Sequence, residues 1–297
     1  VVACFDADFN CLGVPVEGGI ATQPAKQLWE YAHNNPDFST VLPCDFIRIG
    51  NVWHVAVMLT KGLGNETMTE FWHSTDLVNW ELTGFGFAHP GSDPHTTMLS
   101  FDQFGDWIYA VGTHGLRRDG NVKMWRCRAD EFPKGTWVPR NNGQPILYGK
   151  HGELCLRNVD GNAVLGFFDA ARYCVAAICV ASPDDSWAEG NRITVATGRD
   201  LPQLYGGYIA PGSKLNEPDG MKFWVSQWLT ANNSAYHVVA YSGTLAAQRP
   251  IEGKPSYSEV MELSENGWPG LPVSADRLEW ARVPGCTPKV TVQVAKG

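Results

Sequence analysis

Apolar residues along this chain alternate with polar ones or gather in short runs, and glycine, proline, asparagine or aspartate closes each run. Alternation with a period of two predicts strands, and the closing residues predict tight turns. One loose unit recurs: a strand, a glycine-containing turn and a second aromatic-rich strand. It is seen at Phe46–Met58 (FIRIGNVWHVAVM), Met98–Thr113 (MLSFDQFGDWIYAVGT), Leu154–Asp169 (LCLRNVDGNAVLGFFD) and Met221–Trp228 (MKFWVSQW). A further strand follows each, and in three cases a polar turn then ends in tryptophan, at Trp80, Trp137 and Trp187. Those tryptophans lie 57 and 50 residues apart (80 to 137, 137 to 187), which is long for a hairpin and right for a four-stranded blade. The pattern predicts an all-β chain, a β-propeller, with a β-sandwich as the competing architecture. Helical periodicity is confined to two short stretches, Ala25–Asn34 and Tyr257–Ser264.

Strand-like pieces before residue 40 (VVACFDAD, LGVPVEG) predict part of a further blade. After Gln248 the chain turns irregular and rich in proline and glycine, and closes on the alternating stretch KVTVQVAK. The expected organisation is therefore a propeller over residues 1–248 with a partial N-terminal blade, and an irregular extension over 249–297.

Composition narrows the function. The 297 residues are 44% apolar and 18% charged, and 23 basic against 31 acidic side chains leave a net charge of −8. That sign disfavours a phosphate-backbone partner or an anionic membrane surface. No apolar run approaches the ~20 residues of a membrane span, and no basic leader with an apolar run opens the chain. The eight cysteines show no CxxC pair and no Cys/His metal spacing. Cys155, Cys174 and Cys179 sit in apolar strand-like runs, where a thiol behaves as a small hydrophobe, so free cysteines and folding in a reducing cytoplasm are expected. The eight histidines form no metal spacing either, and neither a metal nor another cofactor is expected.

Ligands of propellers gather where the innermost strands converge, which directs attention to polar residues at the starts of those strands. Asp45 precedes FIRIGNVW and Glu153 precedes LCLRNVDG. Two carboxylates at one funnel are the usual machinery of glycoside hydrolysis; the alternatives are a turn cap for Asp45 and a structural pair with Arg157 for Glu153. The segment Leu204–Ser213 (LYGGYIAPGS) sets two glycines between Tyr205 and Tyr208, a backbone that can approach a ligand flanked by rings suited to sugars, or else a tight inter-blade turn. Gln227 and Trp228 end the strand FWVSQW with the polar-plus-aromatic character of a carbohydrate cleft or of a buried core position. His95, His114 and His151 fall at loop positions near inner strands and could hydrogen-bond substrate.

The segments KQL (Lys26–Leu28), STVLPCDFIRIG, MLTKGLGN, TEFWHSTDLVNW, IYAVGT, HGELCLRNVDG, LYGGYIAPGS and FWVSQW, in this order over residues 20–245, resemble the endo-D-arabinanase family, glycoside hydrolase family 183. The resemblance implies a five-bladed propeller that cleaves the D-arabinan of mycobacterial arabinogalactan and lipoarabinomannan, found in actinobacterial proteins and in the tails of their phages. It implies a cell-wall polysaccharide partner; the candidates that the residues themselves offer are Asp45 and Glu153 as catalytic or auxiliary acids, and Arg157, Tyr205, Tyr208, Gln227, Trp228, His95 and His114 as substrate-binding residues. Compartment then favours a virion tail with other tail proteins as partners, the alternatives being a secreted or cell-surface enzyme. A non-catalytic glycan-binding propeller is the competing function. The family's Asp-Leu-Gly turn and Gly-Asp-Thr strand end, where its principal acids lie, do not occur in this sequence. The chain is accordingly expected to start after that first blade.

Overall fold

The computed structural model describes residues 30–31, 34–38, 40–62, 66–76, 79–88, 97–113, 120–229 and 234–248, with short strands at 4–5, 11–13, 262–263, 269–270, 278–280 and 290–292. The chain divides into two compact units, Val1–Pro145 and Ile146–Gly297. All the extended elements are strands, as the alternation predicts.

In the first unit, β1 (Cys4–Phe5) pairs with β2 (Cys11–Gly13). An antiparallel meander follows: β3 (Thr40–Ile49), β4 (Val52–Thr60), β5 (Glu66–Ser74) and β6 (Glu81–Ala88). A second runs through β7 (Thr97–Phe104), β8 (Trp107–Thr113), β9 (Gly120–Arg128) and the two-residue β10 (Val138–Pro139). In the second unit, β11 (Leu147–Val159), β12 (Asn162–Asp169), β13 (Cys174–Val180) and β14 (Asn191–Thr197) form a third meander. The fourth is β15 (Leu204–Ile209), β16 (Met221–Leu229) and β17 (Ser234–Gly243). The two short pairs β18–β19 (Glu262–Leu263 with Pro269–Gly270) and β20–β21 (Leu278–Trp280 with Val290–Val292) close the chain. These four meanders are blades of a β-propeller.

Local chemistry fixes the hairpins. The β11–β12 turn is Asp160-Gly161 with φ of 48° and 79°, the left-handed pair that matches strand twist and that an Asp-Gly sequence supplies. Strands β12 and β13 are buried along their whole length, which is why NAVLGFFD and CVAAICV read as continuous apolar runs. The third and fourth blades pack through Phe168, Val175, Ala177, Phe223 and Val225, and the first and second through Phe71, Phe87, Phe101 and Ile108 with Phe132 and Trp137 against them. Trp80, Trp137 and Trp187 all lie between the third and fourth strands of their blades. In two of them the indole N–H is satisfied identically, Trp137 donating to the Pro133 carbonyl at 2.9 Å and Trp187 to the Pro183 carbonyl at 3.1 Å.

Two expectations are corrected, and a third agrees with the structure in its described part. Met221–Trp228 is the second strand of its blade, and the first is LYGGYI, which the paired glycines had suggested might be a turn. Of Tyr257–Ser264, the described Glu262–Leu263 is a strand. For Ala25–Asn34 only Glu30, Tyr31 and Asn34 are described, and they are helical.

Candidate functional site

Within each unit the first strands of the two blades approach one another, β3 with β7 and β11 with β15. Each carries a bulge near its N-terminal end. The register slips at Pro43/Asp45, Thr97/Ser100, Gly152/Cys155 and Leu204/Gly206. A bulge turns an extra side chain away from the ladder and bends the strand, a device often found beside active sites. The extra residues are Cys44, Met98–Leu99, Glu153–Leu154 and Tyr205. Met98 and Glu153 both sit in left-handed backbone, at φ 51° and 49°, which costs a non-glycine residue of order 1 kcal/mol or more.

The two carboxylates named by the sequence lie at bulges in different units, Asp45 on the paired residue that follows its slip and Glu153 within its own. Asp45 is 7% exposed and fully engaged. Its Oδ2 accepts from the Ser100 hydroxyl at 2.5 Å and from the Phe101 N–H at 3.2 Å, and its Oδ1 from the Phe46 N–H at 2.9 Å. It staples the β3 bulge to the β7 bulge, a role beyond the turn cap that the sequence suggests. Glu153 is half-buried within β11 and lies against Gly206 of β15: a Cβ added at Gly206 would stand 2.9 Å from Glu153 Cβ and Cγ. The flanks are apolar. Leu154 is buried, and a Cβ at Gly207 would stand 2.5 Å from Val175 Cγ1.

In the blade that carries Gly206, Tyr205 is half-buried at its own bulge, and Trp228 is 37% exposed, its backbone N–H donating to the Gln203 carbonyl at 3.0 Å. Gln227 is buried, and its amide donates to the Pro202 carbonyl at 2.6 Å, so it serves the fold. The Tyr208 ring is engaged by the Arg157 guanidinium 4.7 Å from its centroid and by stacked Trp224 at 5.6 Å. Arg157 and Tyr208 therefore form an inter-blade stack. His95 and His114 lie outside the described residues.

His151 lies on β11 and not in a loop, in a buried polar row near Glu153 whose other members sequence reasoning missed. His151, Asp169 and Cys174 stand opposite one another on β11, β12 and β13. Asp169 accepts from Arg192 at 2.9 Å and from the Arg172 N–H at 3.1 Å. The His151 ring meets Phe167 edge-on at 5.1 Å, and its Nδ1 is buried with no partner among the described residues. Burial holds this imidazole below its ordinary pKa, against the pull of Asp169, and burial raises the Cys174 thiol. The only signal in the sequence is that His151 and Asp169 flank one long hairpin. Among the described residues no cluster of three or more His, Cys, Asp or Glu could hold a metal ion.

Comparison with known proteins adds the following. The profile of a family described as Domain of unknown function (DUF4185) matches residues 5–242. The uncharacterized 35.9 kDa protein in asd 3'region of Mycolicibacterium smegmatis is 24% identical over 256 residues, covering 71% of this chain and 72% of that protein. Among solved structures, the β-fructofuranosidase of Schwanniomyces occidentalis complexed with fructosyl-erythritol is similar with a TM-score of 0.51 at 10% identity, over 75% of this chain and 47% of that one. The native Bacillus subtilis arabinanase gives a TM-score of 0.47 at 15% identity, over 75% and 81%.

Proposed function

The chain belongs to the DUF4185 family, and on that premise we propose that it is a glycoside hydrolase domain acting on furanosides, with the D-arabinan of mycobacterial-type cell walls as substrate. The observation that carries this reading is Glu153: a carboxylate turned out of the ladder by a bulge and held in strained backbone against a glycine of the neighbouring blade. The likeness of segments HGELCLRNVDG, LYGGYIAPGS and FWVSQW to endo-D-arabinanases supports the choice of substrate, as does the relative in Mycolicibacterium smegmatis.

In this reading Glu153 in its acid form gives its proton to the glycosidic oxygen as the bond to the anomeric carbon breaks. Tyr205 and Trp228 offer faces to the sugar rings. A second carboxylate must activate water or attack the anomeric carbon, at about 5 to 10 Å from the first. Asp45 is committed to its staple, so that carboxylate is expected in the family's Asp-Leu-Gly and Gly-Asp-Thr motifs, which this sequence does not contain. The same absence favours one competing reading, a propeller that binds wall glycan without cleaving it. Cys44, Cys127, Cys155, Cys174 and Cys179 are free, and all but Cys44 are buried, which supports folding in a reducing compartment and use in a phage tail.

The test is reducing-end release from D-arabinan by the protein that carries this chain, with and without Glu153→Gln. Loss of a general acid is expected to lower turnover by roughly 10²–10⁴-fold while glycan binding persists. Wild-type turnover in Glu153→Gln overturns the assignment; binding without any turnover in the unaltered protein establishes the competing reading.

A further inference from the structure

Glycine is demanded by backbone conformation at some positions and by space at others, and the two can be separated here. Gly161, with φ of 79° and nothing within 4 Å of an added Cβ, is a conformational glycine. Gly206 is the opposite case: it is absent from the residues with positive φ, so any residue could adopt its backbone, yet an added Cβ would stand 2.9 Å from Glu153 Cβ, 2.9 Å from Cγ and 3.6 Å from Cδ. The Ser226 hydroxyl donates to the Gly206 carbonyl at 3.3 Å, and Gly207 wedges against Val175 on the next residue, so this backbone has little room to retreat.

We propose that Gly206 is a positioning residue for Glu153, its missing side chain being the socket that aims the carboxyl group. The inference rests on the reading of Glu153 as the acid. The carboxyl has only two ways to move when the socket is filled. Its methylenes can swing towards the strand end, or β15 can shift bodily away from β11, and either displaces the proton relative to the sugar oxygen. A displacement of about 1 Å at a reacting group can cost on the order of 10²-fold in rate.

The experiment pairs Gly206→Ala with Glu153→Gly in a double-mutant cycle. Glycine at 153 removes both atoms that the new methyl would strike and suits the φ of 49°. Gly206→Ala in the otherwise unaltered protein is expected to lower Tm by several degrees, and in the Glu153→Gly background to leave it unchanged within about 1 °C. On D-arabinan, Gly206→Ala is expected to reduce kcat by roughly 10- to 100-fold with KM within about twofold, and to move the limb of the pH–rate profile that Glu153→Gln abolishes. An equal Tm loss in both backgrounds overturns the socket, and an unmoved pH–rate profile with wild-type kcat overturns the positioning role. If Gly206→Ala alone fails to fold, recovery of the folded state in the double variant still reads the coupling, and failure there too overturns it. Wild-type turnover in Glu153→Gln instead refutes the functional reading and leaves the measured coupling standing on its own.

Discussion

Replacing Asp45 distinguishes a carboxylate that staples two blades from one that acts on substrate. Asp45→Ala deletes the acceptor of three donors, two of which, the Ser100 hydroxyl and the Phe101 N–H, belong to buried residues on the neighbouring blade. A hydrogen bond to a charged group contributes about 1.5–3 kcal/mol net, and a buried donor left unpaired costs about 1–3 kcal/mol. The Phe46 N–H belongs to a residue with a half-exposed side chain and can turn to water, and the Ser100 hydroxyl can rotate to another acceptor. The Phe101 N–H has no such freedom. The expected destabilisation is therefore about 3–5 kcal/mol for Asp45→Ala, at the upper end of single-substitution effects, and about 1–2 kcal/mol for Asp45→Asn, which keeps one oxygen for the Ser100–Phe101 pair. Urea titration followed by tryptophan fluorescence and far-UV circular dichroism measures both, and non-coincident transitions would reveal the two units melting separately. If both variants stay within about 0.5 kcal/mol of the unaltered protein while turnover disappears, the carboxylate works on substrate and the staple is refuted.

Two other outcomes can be checked on the same material. Burial, with His73 adding to it, lowers the His54 pKa to about 4, so the unfolded chain binds the extra proton between its ordinary 6.5 and 4; stability should fall as pH drops through that window, with His151 contributing in the same sense. Glu70, whose carboxyl is raised by burial, acts oppositely and gains native stability on protonation, so a His54→Gln variant with an unchanged acid limb in thermal melts would refute the assignment to His54. Burial pushes the Cys127 thiol up to about 11 and Cys179 up to about 12, so at pH 7 a disulfide reagent followed by peptide mapping should label Cys44 first among the five described cysteines. Rapid labelling of Cys179 in the folded protein would contradict its burial.

The blades were legible because their signals are local. Runs such as CVAAICV, the Asp160-Gly161 turn and the Trp80–Trp137–Trp187 spacing each lie within a few dozen residues and answer to periodicity or turn chemistry. Glu153 was legible for its type and its place before an apolar run. What could not be read is whatever depends on which neighbour comes to rest against a side chain. Nothing in the composition of LYGGYI says whether its glycines make a turn or let two strands approach, because both uses leave the same letters. Tyr208 has the letter of a sugar platform, and only the structure sets Trp224 and Arg157 against its ring. Asp45 and Glu153 looked alike, and the difference is made by Ser100 in one case and Gly206 in the other, each more than fifty residues away.

The recurring bulge gives the fold an address that is separate from its occupant. Cys44, Met98, Glu153 and Tyr205 stand 54, 55 and 52 residues apart (44 to 98, 98 to 153, 153 to 205) at the same slip in the first strand of successive blades, and they share no chemistry: a thiol, a thioether, an acid and a phenol. The ladder closes on either side whatever stands there, so the framework tolerates a change of letter that would be ruinous one residue along. A lineage that keeps this frame can alter what the protein does to its ligand by single substitutions at these sites, without first having to re-evolve a way to fold.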